Sequence, residues 1–540
     1  MIKEKETMSV EGESQSETDR SGTAIHESGG KNKKYIKIGI FIFLLGWLFF
    51  FMAEKIDLSN TDIGRHLKNG EIVLGEGLKI GEANTVLSSN FYSYTYPDFP
   101  FLNHHWASGV FFYAVQKLSG FSGLSIMYIL LSLLTFIIFF LVAYREADFT
   151  TAAVLSVFLI PLIAERREIR PEIFSYFFLA AFFLLLWLWK KEEFSWRWLF
   201  LLPIMMIFWV NAHIYFFLGF FLIGVFLFSE FIGRNWKGFK ELATILFLTA
   251  AAALINPFGL KGALHPLYVY KNYGYAVAEE KSVWFVENYG IVNSNFLLAK
   301  IVMGLMVATL LIAILINWRK ISLPNALLGI FFGAIGLVQI RNFTMLGFFA
   351  LPILASQSEK IFSIKAGKAK GMAKENALTF FYITLVVFAA VNSYQFLSSH
   401  WQQKGIGLAK DDQKAAEFFQ KENIQGPIFN NYDIGGYLIY YLYPGQKVFV
   451  DNRPEVYPKE FLQNVYIKMQ EDESVWKEQS EKYNFNSIFF SYRDITPWGR
   501  NLIKSRLEDP AWALVYKDDY AMIFLKRNEA NKKIIESQEK

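Results

Sequence analysis

The sequence predicts a polytopic α-helical membrane protein that ends in a soluble α/β domain outside the cytoplasm. Three observations carry this expectation. Hydrophobic residues make up 53% of the 540 residues, with 55 Phe, and only 19% are charged. About eleven apolar segments can be read between Ile36 and Phe396, and stretches of this kind need lipid as their solvent. After Ser398 the pattern changes to short β-type runs separated by polar helical stretches, as in an α/β unit.

The elements follow in order. Residues 1–35, rich in Ser, Glu, Gly and Lys, have too few large apolar side chains to bury a core and are expected to be a disordered cytoplasmic tail. The first apolar stretch, 36–52, starts late and lacks a small-residue cleavage site, so it reads as a transmembrane helix and not as a signal peptide. Further spans are expected at 122–143, 149–164, 171–189, 197–210, 212–232, 239–255, 295–317, 322–339, 341–357 and 376–396, giving a transmembrane domain over 36–396.

Loop charges orient these spans. Basic residues recur in alternate loops: Arg145; Lys190, Lys191 and Arg197; Arg234, Lys237 and Lys240; Arg319 and Lys320; and Lys360, Lys365, Lys368, Lys370 and Lys374. The positive-inside rule puts these loops and the N-terminus in the cytoplasm. The net charge of +5 is therefore spent on topology and does not indicate nucleic-acid binding. With no Cys, disulfides, thiolate metal sites and cysteine nucleophiles are excluded.

Two segments lie outside the membrane in this reading. The first is a large outer loop, 54–121, whose Trp106–Leu118 stretch is expected to be an interfacial helix. The second is the soluble domain, 397–540. It is expected to hold helices at Asp411–Glu422 and Gly435–Tyr443, and strands at Pro427–Asn430, Lys447–Val450, Ser487–Phe490, Ala513–Tyr516 and Ala521–Leu525.

The outer face then collects the titratable groups, including all histidines except His26, some at its rim. A membrane protein that gathers such groups on one face performs chemistry or recognition there. Asp62, Arg65 and His66 share a face if the segment is helical. A carboxylate held by a cation or an imidazole can accept a proton from a hydroxyl, although a surface ion pair has the same spacing. His104 and His105 cannot both point one way on a regular element, so one of them is expected to join Asp62. Asp62 and His105 could together hold a divalent metal, Mg or Mn.

Arg170 belongs to a charged turn, Glu165–Glu172, that suits a phosphate group or forms a solvated hairpin of internal ion pairs. Asn211 and His213 split two apolar runs, as a turn or as part of the site. Trp106, Trp284 and Glu287 offer aromatic faces and an acceptor for a sugar, where an interfacial aromatic belt is equally expected. Arg341, so close to hydrocarbon, needs a partner or an anionic ligand. In the soluble domain, Gly435-Gly436 and Asp451-Asn452-Arg453 mark either a structural turn or a site, without dinucleotide or P-loop spacing.

Taken in order, these stretches resemble the GT-C superfamily of integral-membrane glycosyltransferases, specifically a poorly characterised bacterial branch. The resemblance rests on Asp62-x-x-x-His66-x-x-x-Gly70, Phe91-Tyr-Ser-Tyr94-Thr95, His104-His105-Trp106, Arg170-Pro171, Asn211-x-His213, Asn256-Pro-x-Gly259, Gly435-Gly436-Tyr437-Leu438 and Val450-Asp451-x-Arg453. The chain departs from related sequences by following Asp62 with Ile63, without a second acid, and by carrying Gly64 and Arg65 in place of aromatics.

The resemblance implies a polyprenyl-phosphate-linked sugar donor and transfer at the outer face to an envelope lipid, glycan or protein acceptor. Asp62 would be the base, with His66 and His105 beside it. Arg65, His104, Trp106, Arg170, Asn211, His213, Trp284, Glu287 and Arg341 would bind substrate. The alternative is a non-catalytic membrane protein that binds or transports an envelope lipid or glycan precursor. Membrane lipids are partners in either case.

Overall fold

The computed structural model describes residues 14–269, 273–275, 277–317, 321–362, 368–491 and 493–539. The expected N-terminal tail falls on residues 1–13, outside the described residues, and on the start of α1 (Ser14–Met52). Arg319, Lys320 and Lys365 also lie outside the described residues.

Helices occupy every stretch in which a span was expected. Those up to the middle of the chain are α1, α3 (Trp106–Glu146), α4 (Phe149–Ile163), α5 (Glu172–Lys190), α6 (Leu201–Ala212), α7 (Phe217–Ile232) and α8 (Trp236–Ala253), with α2 (Ile63–Glu76) in the first loop. Beyond them come Ser294–Asn317, Leu323–Val338, Phe343–Phe362 and Lys368–His400. Among the described residues, six helices are long and apolar enough to cross a membrane, and three shorter apolar ones accompany them. Outward-facing side chains such as Phe247 (71% exposed) and Leu315 (85%) are apolar as well. Such a surface is stable only against hydrocarbon, so the chain is a multi-pass membrane protein.

The loop stretch expected to lie along the interface is the first part of α3. It is separated from the rest by Gly120, whose φ of 67° breaks the helix in a conformation that glycine adopts without steric cost.

The C-terminal region, expected to be the soluble domain, is built on a four-stranded sheet of order β1-β2-β4-β3, with β1 (Ile428–Asn430), β2 (Ser487–Phe490), β3 (Trp512–Lys517) and β4 (Met522–Lys526). β1 and β2 are parallel and the remaining pairs antiparallel. Phe429, Phe449, Trp476 and Phe485 pack ring to ring in its core. The expected strand at Lys447–Val450 is corrected here. It is extended but outside the sheet, because its backbone pairs with the first loop: Tyr94 N–H donates to Val448 O and Val448 N–H to Tyr92 O. The Asn430 side chain holds it beside β1, accepting from Phe449 N–H at 2.9 Å and donating to Val450 O at 2.8 Å.

α2 is held between the membrane helices and the soluble domain by glycines. A Cβ at Gly70 would lie 2.1 Å from Gly109 O, so only bare backbone lets α2 and α3 meet there. On the other side, a Cβ at Gly64 would lie 2.7 Å from Gly436 O of the soluble domain. The segment before α2 is clamped too: Leu58 N–H donates to Asp412 at 3.0 Å and Arg493 pairs with Asp57 at 2.5 Å. Gly70→Ala should therefore destabilise the protein by about 1–3 kcal/mol through overpacking. Gly75→Ala, on the same helix with nothing near its added methyl, should be neutral or gain about 0.5–1 kcal/mol. Thermal unfolding of the two variants in detergent checks the contrast.

Candidate active site

Asp62 is the residue before α2, a position where an Asp side chain normally caps the helix. Here it makes no capping hydrogen bond. Its Oδ2 faces His66 Nε2 at 3.4 Å and an Arg65 guanidinium nitrogen at 3.6 Å. A carboxylate turned away from the helix it could cap is available for chemistry. Arg65 is itself buried and reaches across the domain boundary, donating from Nε to Asn452 Oδ1 at 3.4 Å. Burial would raise the Asp62 carboxyl, but the Arg170 charge, His66 and Arg65 outweigh it and hold the group well below the usual carboxylate range.

From fully buried His66 a row of imidazoles leads to His265, which is half-buried. Ring centroids are 5.4 Å apart for His66 and His105, 3.7 Å for His105 and His104, and 5.0 Å for His104 and His265. His213 lies 5.2 Å from His105. The start of α3 makes this convergence. Trp106 Nε1–H donates to Asn211 Oδ1 at 2.9 Å and Ser108 Oγ–H to Ala212 O at 2.6 Å, which ties α3 to the break between α6 and α7. His213 Nδ1 accepts from Ser175 Oγ at 2.8 Å and from Tyr215 N–H at 3.4 Å, so the neutral ring carries its proton on Nε2. Burial, then the Arg65 charge, push His66 down to about 4 against the pull of Asp62. Burial and neighbouring imidazoles lower His104 and His105 well below the ordinary histidine range. These three rings are neutral at pH 7.

The expected phosphate-binding arginines are already paired. Arg170 donates twice to Glu168, at 2.9 and 2.7 Å, and lies 3.6 Å from Glu279. Arg341 pairs with Glu172 at 2.5 Å and Glu280 at 3.0 Å, and Arg166 with Glu279 at 2.6 Å. Glu279 and Glu280 complete a network that the sequence reading missed. Adjacent acids in one loop, opposite three arginines of other loops, were the available signal. Asn452 was missed as a contact because nothing in the sequence brings it to Arg65. Trp284 and Glu287 form a separate patch: Glu287 pairs with Lys300 at 2.6 Å and Trp284 is half exposed.

A cleft of about 670 Å³ is lined by Asn60, Thr61 and Ile63, which flank Asp62, and by Lys410, Arg493 and Tyr520 of the C-terminal region, while Asp62 itself is not in its wall. The residues present do not fit Mg or Mn at Asp62 and His105. Among the described residues no three His, Asp or Glu side chains are grouped to hold a metal. Guanidinium charge already faces Asp62, and the surrounding donors are imidazoles, which these oxygen-seeking ions disfavour.

A pH dependence follows from His66. The folded protein keeps this ring neutral down to about pH 4, whereas the unfolded chain protonates it near its ordinary value of 6.5. Its contribution is therefore fully present above pH 6.5 and is lost as pH falls toward 4, by about 3 kcal/mol. Unfolding midpoints between pH 7 and 4.5 should fall less steeply for His66→Gln than for the wild type.

No protein-family model and no curated protein sequence matches the chain. Solved structures do. The archaeal oligosaccharyltransferase AglB from Archaeoglobus fulgidus, in complex with an inhibitory peptide and a dolichol-phosphate, aligns with a TM-score of 0.61 and 12% identity, over 91% of this chain and 74% of that one. The Archaeoglobus fulgidus oligosaccharyltransferase in complex with Zn and sulfate aligns with a TM-score of 0.52 and 13% identity, over 84% and 68%. At this identity the likeness shows a shared fold and nothing of the activity.

Proposed function

We propose that the protein transfers a sugar from a polyprenyl-phosphate-linked donor to a hydroxyl of an envelope lipid, glycan or protein, at the outer face of the plasma (inner) membrane. The observation that carries this reading is Asp62: an ionised carboxylate, not used as a helix cap, set against a neutral histidine row on a GT-C fold. The dolichol-phosphate in the AglB complex supports a lipid-phosphate carrier.

In this reaction Asp62 accepts the proton of the attacking hydroxyl as its oxygen bonds to the anomeric carbon. The bond from that carbon to the phosphate oxygen breaks, with inversion, and polyprenyl phosphate leaves with the electron pair. His66 and His105, being neutral, orient the hydroxyl without competing for the Asp62 charge. Arg170 and Arg341 stabilise the negative charge gathering on the leaving phosphate, which takes the place of one carboxylate partner on each. Arg65, His104, Trp106, Asn211 and His213 hold the sugar end of the donor or the shape of its site. Trp284 and Glu287 would contact the acceptor from their separate patch. The charged cleft lined by the residues that flank Asp62 suits a hydrophilic acceptor.

Asp62→Asn should abolish transfer and, because it removes the charge that Arg65 and His66 face, should also lower stability by about 3 kcal/mol, so turnover is compared on protein shown to be folded. Mass spectrometry of co-purified lipid is the direct check. A polyprenyl-phosphate sugar retained by the variant and depleted in the wild type supports the transferase and names its donor. Equal occupancy by intact precursor in both points to binding or transport, and near-normal turnover in the variant removes Asp62 from the mechanism.

A further inference from the structure

We infer that the protein carries a binding site for an anionic glycerophospholipid at the opposite end of α1 from Asp62, in a groove between α1, α3 and α4. The stretch Lys33–Met52 is 20 residues long, so about 30 Å of helix separates its two ends. The groove, of about 470 Å³, has two unlike walls. Lys33, Lys34 and Lys37 supply one. The other is apolar and aromatic, with the Phe41 and Phe140 rings 4.9 Å apart and Tyr144 edge-on to Phe149 at 5.9 Å.

Three ammonium groups within five residues repel one another and need counter-charge. Among the residues from Lys33 onward whose side chains are described, no carboxylate pairs with any of the three. The nearby charges are committed elsewhere. Asp148 caps α4 through Thr150 and Thr151, and Arg145 pairs with Glu193 at 2.7 Å. Lys37 instead stands 5.7 Å over the Phe149 ring, which joins the cationic wall to the apolar one. A small anion would satisfy the lysines and leave the apolar wall bare. A neutral lipid would cover that wall and leave the charge. A phosphodiester headgroup on acyl chains meets both, and each lysine near such a headgroup is worth about 1 kcal/mol.

The probes are phosphatidylglycerol and phosphatidylcholine with the same acyl chains, offered to the full-length protein and read by native mass spectrometry. Phosphatidylglycerol should be retained preferentially. Lys37→Gln should lower its retention about fivefold, and Lys33 and Lys34 remain to keep the topology. Unfolding midpoints of wild type and variant in phosphatidylcholine alone should coincide. If they differ, the exposed Lys34→Gln replaces it as the test. Equal retention of both lipids, or retention unchanged by either substitution, overturns the site. Displacement of phosphatidylglycerol by undecaprenyl phosphate at equal concentration also overturns it, by giving the groove to the lipid carrier.

Discussion

α2 can stand where it does only because backbone touches backbone on both of its sides. Gly70 meets Gly109 at the start of α3, and Gly64 meets Gly436 in the soluble domain. Contacts this close exclude any side chain, so the helix has one seat. Asp62 and His66 lie on it one turn apart, and the Gly109 contact brings the end of the first loop, with His104 and His105, against His66. The soluble domain is thus part of the site's frame: Asn452 holds Arg65, which in turn faces Asp62.

A second constraint is charge. Arg166, Arg170 and Arg341 stand near hydrocarbon, where an unpaired guanidinium is costly. Glu168, Glu172, Glu279 and Glu280 pair with them. The network comes from three separate stretches of chain, so it also fastens the 278–281 segment to the break before the Phe343–Phe362 helix, where Ile340 N–H donates to Lys281 O. Its price in desolvation is offset only when all partners are in place, which favours one arrangement of the rim over many. The histidines beside it are buried too deeply to add further charge at neutral pH.

Much of this was legible in the chain itself. Apolar runs located the helices because lipid-facing segments must be continuous and long, and short apolar runs at Ser487–Phe490, Ala513–Tyr516 and Ala521–Leu525 located strands that the sheet contains. Asp62, Arg65 and His66 could be grouped because helical spacing is local. The Lys447–Val450 strand was placed correctly as extended chain and wrongly in the sheet, since propensity marks conformation and not the partner. Trp284 and Glu287 were grouped with the site by composition, yet their neighbour is Lys300.

What the sequence determined by itself is therefore what depends on neighbours along the chain: the membrane helices, the soluble α/β unit and the triad at the start of α2. What only the tertiary structure decided is which distant groups share a space. The histidine row joins residues 66, 104, 105, 213 and 265, and the arginine network joins residues 166–172, 279–280 and 341. Those meetings are set by close packing of glycine backbones and by the need to pair buried charge. Both depend on three-dimensional proximity, for which one sequence has no periodic signal.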